Sequence, residues 1–265
     1  MALLPGVYEA KKKDGTLYYR SSITCHSRHI SLGSYPTEKE AHLAYQEAKS
    51  VLKSRKELTP DDYCQNPPSA LSFHKWISLI NFKNNGLYIK TPIYMRNNFF
   101  SYHLSPTDSL LFDADDLFYY SNHSIMRRGN HLFVAEYGMQ TNIHSRYGIR
   151  NFARLGIDYR FVNGDTNDFR YSNIEIFNSY QGVTCTKKSN QESYCTKIHL
   201  RGDYIVGWYA TADEAAIAYN KAVDILWEKG VSKQFEKNFL EHFSSQEYRK
   251  IYDTISISDK ILNWN

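Results

Sequence analysis

Cysteine is sparse in this chain and is never paired. Cys25, Cys64, Cys185 and Cys195 are scattered over 265 residues, with no Cys-x-x-Cys among them. That spacing argues against a disulfide-stapled secreted scaffold. It points to free thiols in a reducing compartment, so an intracellular, cytoplasmic protein is expected. Long apolar runs are missing too. No stretch approaches the roughly 20 residues that cross a bilayer, and no membrane partner is expected. The opening Met-Ala-Leu-Leu-Pro-Gly carries neither a basic region nor an apolar run, so no signal peptide is expected. Histidines lack ligand spacing: His26, His29, His103, His123, His131 and His242 read as surface or backbone-bonded groups. Charge of one sign does not dominate, with 32 Lys and Arg against 28 Asp and Glu, a formal net charge of +4. A balance that mild carries little argument for a phosphate-rich partner by itself. What is abundant is aromatic: 15% of residues, 22 of them tyrosine. The 42% hydrophobic content suffices for packed cores, and the length predicts two or three domains.

The most informative feature is an internal repeat. Gly6-Val7 leads through Gly33 to Thr37-x-x-Glu40-Ala41-x-x-Ala44-Tyr45-x-x-Ala48. Gly182-Val183 leads through Gly207 to Thr211-x-x-Glu214-Ala215-x-x-Ala218-Tyr219-x-x-Ala222. A small unit used twice around something else suits two-point gripping of an extended partner, which raises affinity without new contacts. In the first copy, alternating runs predict strands over 6–12, 17–24 and 28–35, with turns at Asp14-Gly15 and 25–27. In the second they predict strands over 182–188, 194–200 and 203–209. Thr37 with Glu40 and Thr211 with Glu214 form capping boxes that start two helices with alanine faces.

Period-two alternation then divides each sheet. Val7, Tyr19, Ser21, Ile23, Ile30 and Leu32 are expected to face the helix in copy one. Val183, Tyr194, Thr196, Ile198, Tyr204 and Val206 are expected to do so in copy two. Tyr8, Lys12, Arg20, Ser22, Thr24, His29 and Ser31 fall on the other face of copy one. Thr184, Thr186, Lys188, Lys197, His199, Asp203 and Ile205 fall there in copy two. Short hydrogen-bonding groups and cations on a sheet suit base edges and phosphates, although a solvated face has a similar composition. Cys185 and Cys195 land on opposite faces, which argues against a disulfide or shared zinc.

Gly-Val, Tyr-x-[Ala/Ser/Thr]-x-Ile and Leu-Gly-x-Tyr-x-Thr-x-x-Glu-Ala-x-x-Ala-Tyr resemble the plant ethylene-response-factor (Apetala-two) DNA-binding domain. A similar module occurs in phage and bacterial homing endonucleases. The resemblance implies a three-stranded sheet in the major groove of double-stranded DNA with the helix behind it. It implies contacts from Tyr8, Lys12, Arg20, Ser22, Thr24 and His29, and from Thr184, Thr186, Lys188, Lys197 and His199. Asp203 and Ile205 depart from the cationic and aromatic contacts expected there, which implies a different or weaker grip in copy two.

Between the copies lies Leu111-Phe112-Asp113-x-Asp115-Asp116-Leu117, then Ile143-His144-Ser145-Arg146-Tyr147-Gly148-Ile149. Next comes Tyr159-Arg160-Phe161-Val162-Asn163-Gly164-Asp165-x-x-Asp168-Phe169-Arg170-x-x-Asn173-Ile174. The last run resembles the HNH homing-endonuclease motif, and the resemblance implies a ββα-metal core. Asn163, Asp168, Arg170 and Asn173 match it, with Arg170 a further DNA contact. The Asp-His pair that would supply the general base reads Arg160-Phe161, and phenylalanine accepts no proton. Asn163-Gly164-Asp165 is expected to make the hairpin turn, and residues 168–173 to cap and begin the following helix. If the core were active, His144 and Tyr159 would be displaced bases beside Asn163 and Asn173. Asp158 and Asn173 would then hold Mg2+ or another divalent cation; otherwise no cofactor is expected. Asp113, Asp115 and Asp116 read as a turn and helix start.

Pro60, Pro67 and Pro68 with Asp61-Asp62 read as a linker. A helix over 71–82 and strands around 87–94 and 99–103 follow. Ser244-x-x-Glu247 starts a helix whose Tyr248, Ile251, Tyr252 and Ile255 make an apolar face for core packing or a partner. The expected fold is α+β: two sheet-plus-helix modules (1–55 and 179–228) flanking a degenerate HNH-like core (109–178). An α+β segment (56–108) and a helical extension (229–265) complete it. The expected function is sequence-specific DNA binding without cleavage, used in transcription control and derived from a bacterial or phage HNH endonuclease. The alternatives are a metal-dependent endonuclease, homing or restriction type, and a protein-interaction module.

Overall fold

The computed structural model describes residues 3–63, 69–151, 153–188 and 191–264, and the backbone alone for Lys187, Lys188 and Gln191. Cys64, Pro67, Pro68 and the Lys188 side chain lie outside the described residues. Among those residues the chain is mixed α+β, with four three-stranded antiparallel sheets, one two-stranded sheet and six α-helices. It divides into two units: Met1–Ile143 with Asp165–Tyr171, and His144–Gly164 with Ser172–Asn265. None of the described helices is long and apolar enough to cross a membrane.

The first unit opens with a meander of β1 (Val7–Lys11), β2 (Leu17–Cys25) and β3 (Arg28–Tyr35), followed by α1 (Glu38–Lys53). The capping box closes as expected: Glu40 N donates to Thr37 Oγ1 at 3.3 Å, and Thr37 N donates to Glu40 Oε2 at 3.2 Å. Ala41, Ala44 and Ala48 are fully buried, so the helix sits close to the sheet. Gly6 adopts a left-handed φ of 78°, and a Cβ there would run into the ring of Tyr45. The motif's glycine and tyrosine therefore depend on each other.

Next, α2 (Phe73–Asn85) starts on the Ser72 side chain and ends at left-handed Gly86. Its Ile77, Leu79 and Ile80 share one core with Ile30, Leu32, Ala44 and Val51 of the repeat. Tyr35 Oη donates to the Ala70 carbonyl at 3.1 Å, tying β3 to the chain that leads into α2. A second sheet follows, β4 (Ile93–Met95), β5 (Phe99–Ser105) and β6 (Asp108–Asp113). After α3 (Leu117–Asn122) comes a third, β7 (Ile125–Arg128), β8 (His131–Glu136) and β9 (Met139–Asn142). Asp113–Asp116 lead into α3, as the sequence suggests. Phe112 stacks on Tyr120 at 4.3 Å, and fully buried Phe169 lies 5.6 Å from Phe112. Phe169 reaches this core because its segment zips along β6: Leu111 N donates to the Asn167 carbonyl and Phe169 N to the Leu111 carbonyl.

The second unit contains the hairpin β10 (Tyr159–Phe161) and β11 (Ile174–Ile176). The helix expected from residues 168–173 is absent. A short 3-10 turn at Tyr171–Asn173 runs directly into β11, and residues 177–182 are not helical. Ile174 and Ile176 favour a strand, and Asn178 stops it by bonding the backbone around Tyr180. Copy two is the meander β12 (Val183–Lys188), β13 (Gln191–His199) and β14 (Asp203–Tyr209) with α4 (Ala212–Glu228). Gly182, at φ 75°, is pressed against Tyr219 as Gly6 is against Tyr45. The C-terminal α5 (Ser245–Thr254) and α6 (Asp259–Leu262) pack on α4. The apolar face of Tyr248, Ile251, Tyr252 and Ile255 is core packing. Tyr209 Oη donates to the Ser256 carbonyl at 2.9 Å, the counterpart of the Tyr35 bond.

Candidate nucleic-acid interface

Both sheets carry the same irregularity. The β2–β3 register slips between Ser21 and Ser22, and the β13–β14 register slips between Thr196 and Lys197, the equivalent position. Ser21 pairs with Gly33 and Thr196 with Gly207, leaving Leu32 and Val206 as the extra, buried residues. Such a bulge re-aims every side chain beyond it.

In the first sheet the outer rungs are therefore Tyr8–Arg20–Ser34, Ser22–Ser31 and Thr24–His29. Tyr8 (55% exposed), Arg20, Thr24, His29 and Ser31 are open. Arg20 donates to Tyr18 Oη at 2.8 Å and lies over that ring, so its guanidinium is pre-positioned. Lys12 is exposed in the turn beyond β1 rather than on a rung. Ser22 shares the outer rung with Ser31 but is itself buried.

In the second sheet the rungs are Thr184–Cys195–Trp208, Lys197–Ile205 and His199–Asp203. Lys197 and His199 are exposed, while Thr184 and Thr186 are half-buried. Cys195 stands opposite Thr184, and Cys185 opposite Tyr194, so the two thiols are on different faces. Trp208 is 56% exposed on this outer face. Strict alternation from Tyr204 and Val206 assigns it to the helix side, so only the bulge reveals it. His199 Nδ1 and Asp203 Oδ1 lie 2.8 Å apart. That hydrogen bond, with the charges of Lys197 and Arg154, holds the Asp203 carboxyl below its ordinary range.

Arg154 is a residue that the repeat does not announce. Its Nη2 donates to Thr184 Oγ1 at 3.3 Å, and its backbone N donates to buried Asp158 Oδ2 at 2.8 Å. Asn178 Nδ2 donates to Asp158 Oδ1 at 3.0 Å and to the Val183 carbonyl at 2.5 Å. Copy two has cysteine where copy one has Arg20, and Arg154 brings a cation to the same rung from outside the repeat. With Lys197, His199 and Asp203 it lines a cleft of ≈ 250 Å³.

The HNH-like run divides between the units, with Asp165–Tyr171 in the first and the flanking residues in the second. Asp168 is buried and binds Arg170 by two side-chain hydrogen bonds, Nε–Oδ1 2.9 Å and Nη2–Oδ2 2.6 Å. The same bonds raise the Arg170 pKa, and its guanidinium lies over Phe99. Arg160 spans the β10–β11 hairpin to Glu175 at 2.6 Å, and Phe161 is buried. Asn163 N donates to Asn173 Oδ1 at 2.8 Å, joining two of the expected catalytic residues. His144 and Tyr159 meet edge to face at 6.4 Å, and burial pushes the Tyr159 hydroxyl pKa up. Asp158, expected as a metal ligand, is engaged by Arg154 and Asn178 instead. Among the described residues no three His, Cys, Asp or Glu side chains converge as a metal group.

No family model matches the chain, and no curated protein or solved structure matches it either.

Proposed function

We propose that this chain is a sequence-specific double-stranded DNA-binding protein, descended from an HNH homing endonuclease and used in transcription control at the bacterial or phage nucleoid. The two bulged sheets would each lay an outer face in a major groove. One observation carries the reading: two sheets with the same slip at the same position present polar, cationic and aromatic rungs to solvent. Arginine, lysine, threonine and histidine on such rungs match the acceptors of base edges and phosphates. The nuclease-like run supports a non-cleaving reading, because Arg160 is spent on Glu175 and Phe161 is buried where a general base would stand.

The test is selection from random duplexes, then retention of the selected duplex as salt is raised. Each phosphate contact contributes about 0.9 to the slope of log affinity against log salt. Reversing charge at Arg20 and Lys197 together is expected to abolish retention; undiminished retention overturns the reading. The His144–Tyr159 contact favours the second reading, a metal-dependent endonuclease with a displaced base. Incubating the selected duplex with magnesium or manganese decides between them. Nicks lost in His144→Ala and Tyr159→Phe variants would establish the enzyme.

A further inference from the structure

Within the first unit, a cleft of ≈ 650 Å³ opens beside the end of the first sheet. Arg28 and His29 line it from β3, Tyr88 and Lys90 from the chain between α2 and β4, and Phe118 and Asn122 from α3. Among the described residues no carboxylate lines it. Its volume falls in the range of small-ligand sites, roughly 300–1,000 Å³.

Three features set this cleft apart from ordinary surface. First, Phe118 is 85% exposed on its wall. A phenylalanine that open is a stacking plate without a stacked ring. Second, Tyr88 is flanked by cations: the Arg28 guanidinium lies 5.3 Å from its ring centre, and Lys75 Nζ donates to its hydroxyl at 3.1 Å. Third, the turn that delivers Arg28 is strained. His26 and Ser27 both take left-handed φ values, 46° and 60°, with no glycine to ease them. Side chains held there cost free energy that function often explains. The His26 ring packs edge-on against Phe82, 5.9 Å away, which holds the turn against α2.

An aromatic wall and several cations without an acid select a flat, π-rich anion. We infer that this cleft binds a nucleotide, with the base stacked on Phe118 and the phosphate held by Arg28 and Lys90. The inference stands apart from the proposed DNA reading, because a free mononucleotide needs no groove.

Calorimetric titration of the full chain with adenosine 5′-monophosphate tests it, with adenosine and inorganic phosphate as controls. The nucleotide is expected to bind at least tenfold tighter than either fragment. Phe118→Ala and Lys90→Glu are each expected to weaken it at least tenfold. Both side chains are exposed, so the melting temperature should stay unchanged and report an intact fold. No measurable nucleotide binding, or binding indifferent to both substitutions, overturns the inference. A duplex carrying 2-aminopurine identifies the source of the ligand. Brightening on binding, lost in Phe118→Ala while the duplex is still retained, assigns a base drawn out of bound DNA. Nucleotide binding without brightening assigns a free nucleotide. Nucleotide binding without duplex retention would defeat the DNA reading and leave this one standing.

Discussion

The two copies of the repeat share backbone, bulge, capping box and glycine–tyrosine contact, yet they are completed differently. α1 buries one stripe, Ala41, Ala44, Ala48 and Val51, and leaves Leu43 exposed. α4 buries Ala215 through Asn220, then Ala222, Val223 and Leu226, and so is covered almost all round. The first copy is extended by α2, the second by the C-terminal helices. In each, the same tyrosine (Tyr35 or Tyr209) donates to a carbonyl of the added segment. The outer faces differ as well. Copy one carries its own arginine, whereas copy two has Cys195 there and takes Arg154 from upstream. Internal positions common to both copies define the module, and positions that differ mark what each copy has been adapted to do.

The largest effect is expected where the copies are most alike. Alanine at Gly182 combines a left-handed φ with collision against the Tyr219 ring and the Lys197 carbonyl, whereas the three atoms nearest to a Cβ at Gly6 all belong to the Tyr45 ring. Each should lose about 3 kcal/mol of stability, and Gly182→Ala more than Gly6→Ala because a backbone carbonyl cannot swing aside. Denaturant melts of both variants check the order; equal losses would break the parallel.

Acid should separate the halves next. His103, buried in the first unit and in ring contact with Phe73 of α2, has its pKa driven down from 6.5 to about 4. Burial is the main cause, with Arg96 and His74 adding to it and Asp61 opposing. The unfolded chain takes up that proton first. The stabilisation is therefore whole above pH 6.5, falls as pH drops, and is gone near pH 4. The loss amounts to about 3 kcal/mol across the window. Melting temperatures of a His103→Gln variant across the window should lack this component, and an unchanged acid response would sink the assignment.

On the proposed DNA reading, Trp208→Ala on the outer face should weaken duplex binding by about 1–2 kcal/mol, a typical worth for a good base contact, with little change in melting. Ser34→Ala, at the equivalent rung, should change binding less. Retention measured on the selected duplex compares them.

The smallest effect concerns a buried hydroxyl. Thr196 Oγ1 donates to the Ala215 carbonyl at 2.8 Å, but Ser21 Oγ, its counterpart, is buried without a hydrogen-bond partner. Ser21→Ala should stabilise by about 1 kcal/mol and Thr196→Val should destabilise by about as much. Paired melts giving the same sign for both would contradict this.

The repeat was legible because its signals are local. Strand alternation, capping boxes and the alanine stripe are readable within one element each, and every residue assigned to the helix side is buried or half-buried. The bulge was not legible, since no residue type near Leu32 or Val206 announces a two-against-one pairing. Trp208 on the outer face is legible only through that pairing, and no residue near Ser22 announces that its outer-face hydroxyl is covered. Arg154 and its support by Asp158 and Asn178 depend on contacts between segments distant in sequence. The helix expected to begin over residues 168–173 came from resemblance rather than from residues. The alternation of Ile174-Glu175-Ile176 with the Arg160–Glu175 pair spoke for a strand instead.

The sheathing of α4 bears on engineering. Excised as residues 179–228, the second repeat would lose Leu240, Tyr248, Ile251 and Ile255 from the cluster that holds Ala216 and Ile217, an oily stripe that invites clumping once uncovered. A transplantable version would have to carry the tail through Leu262, or have that stripe recoded with polar residues before it could travel alone.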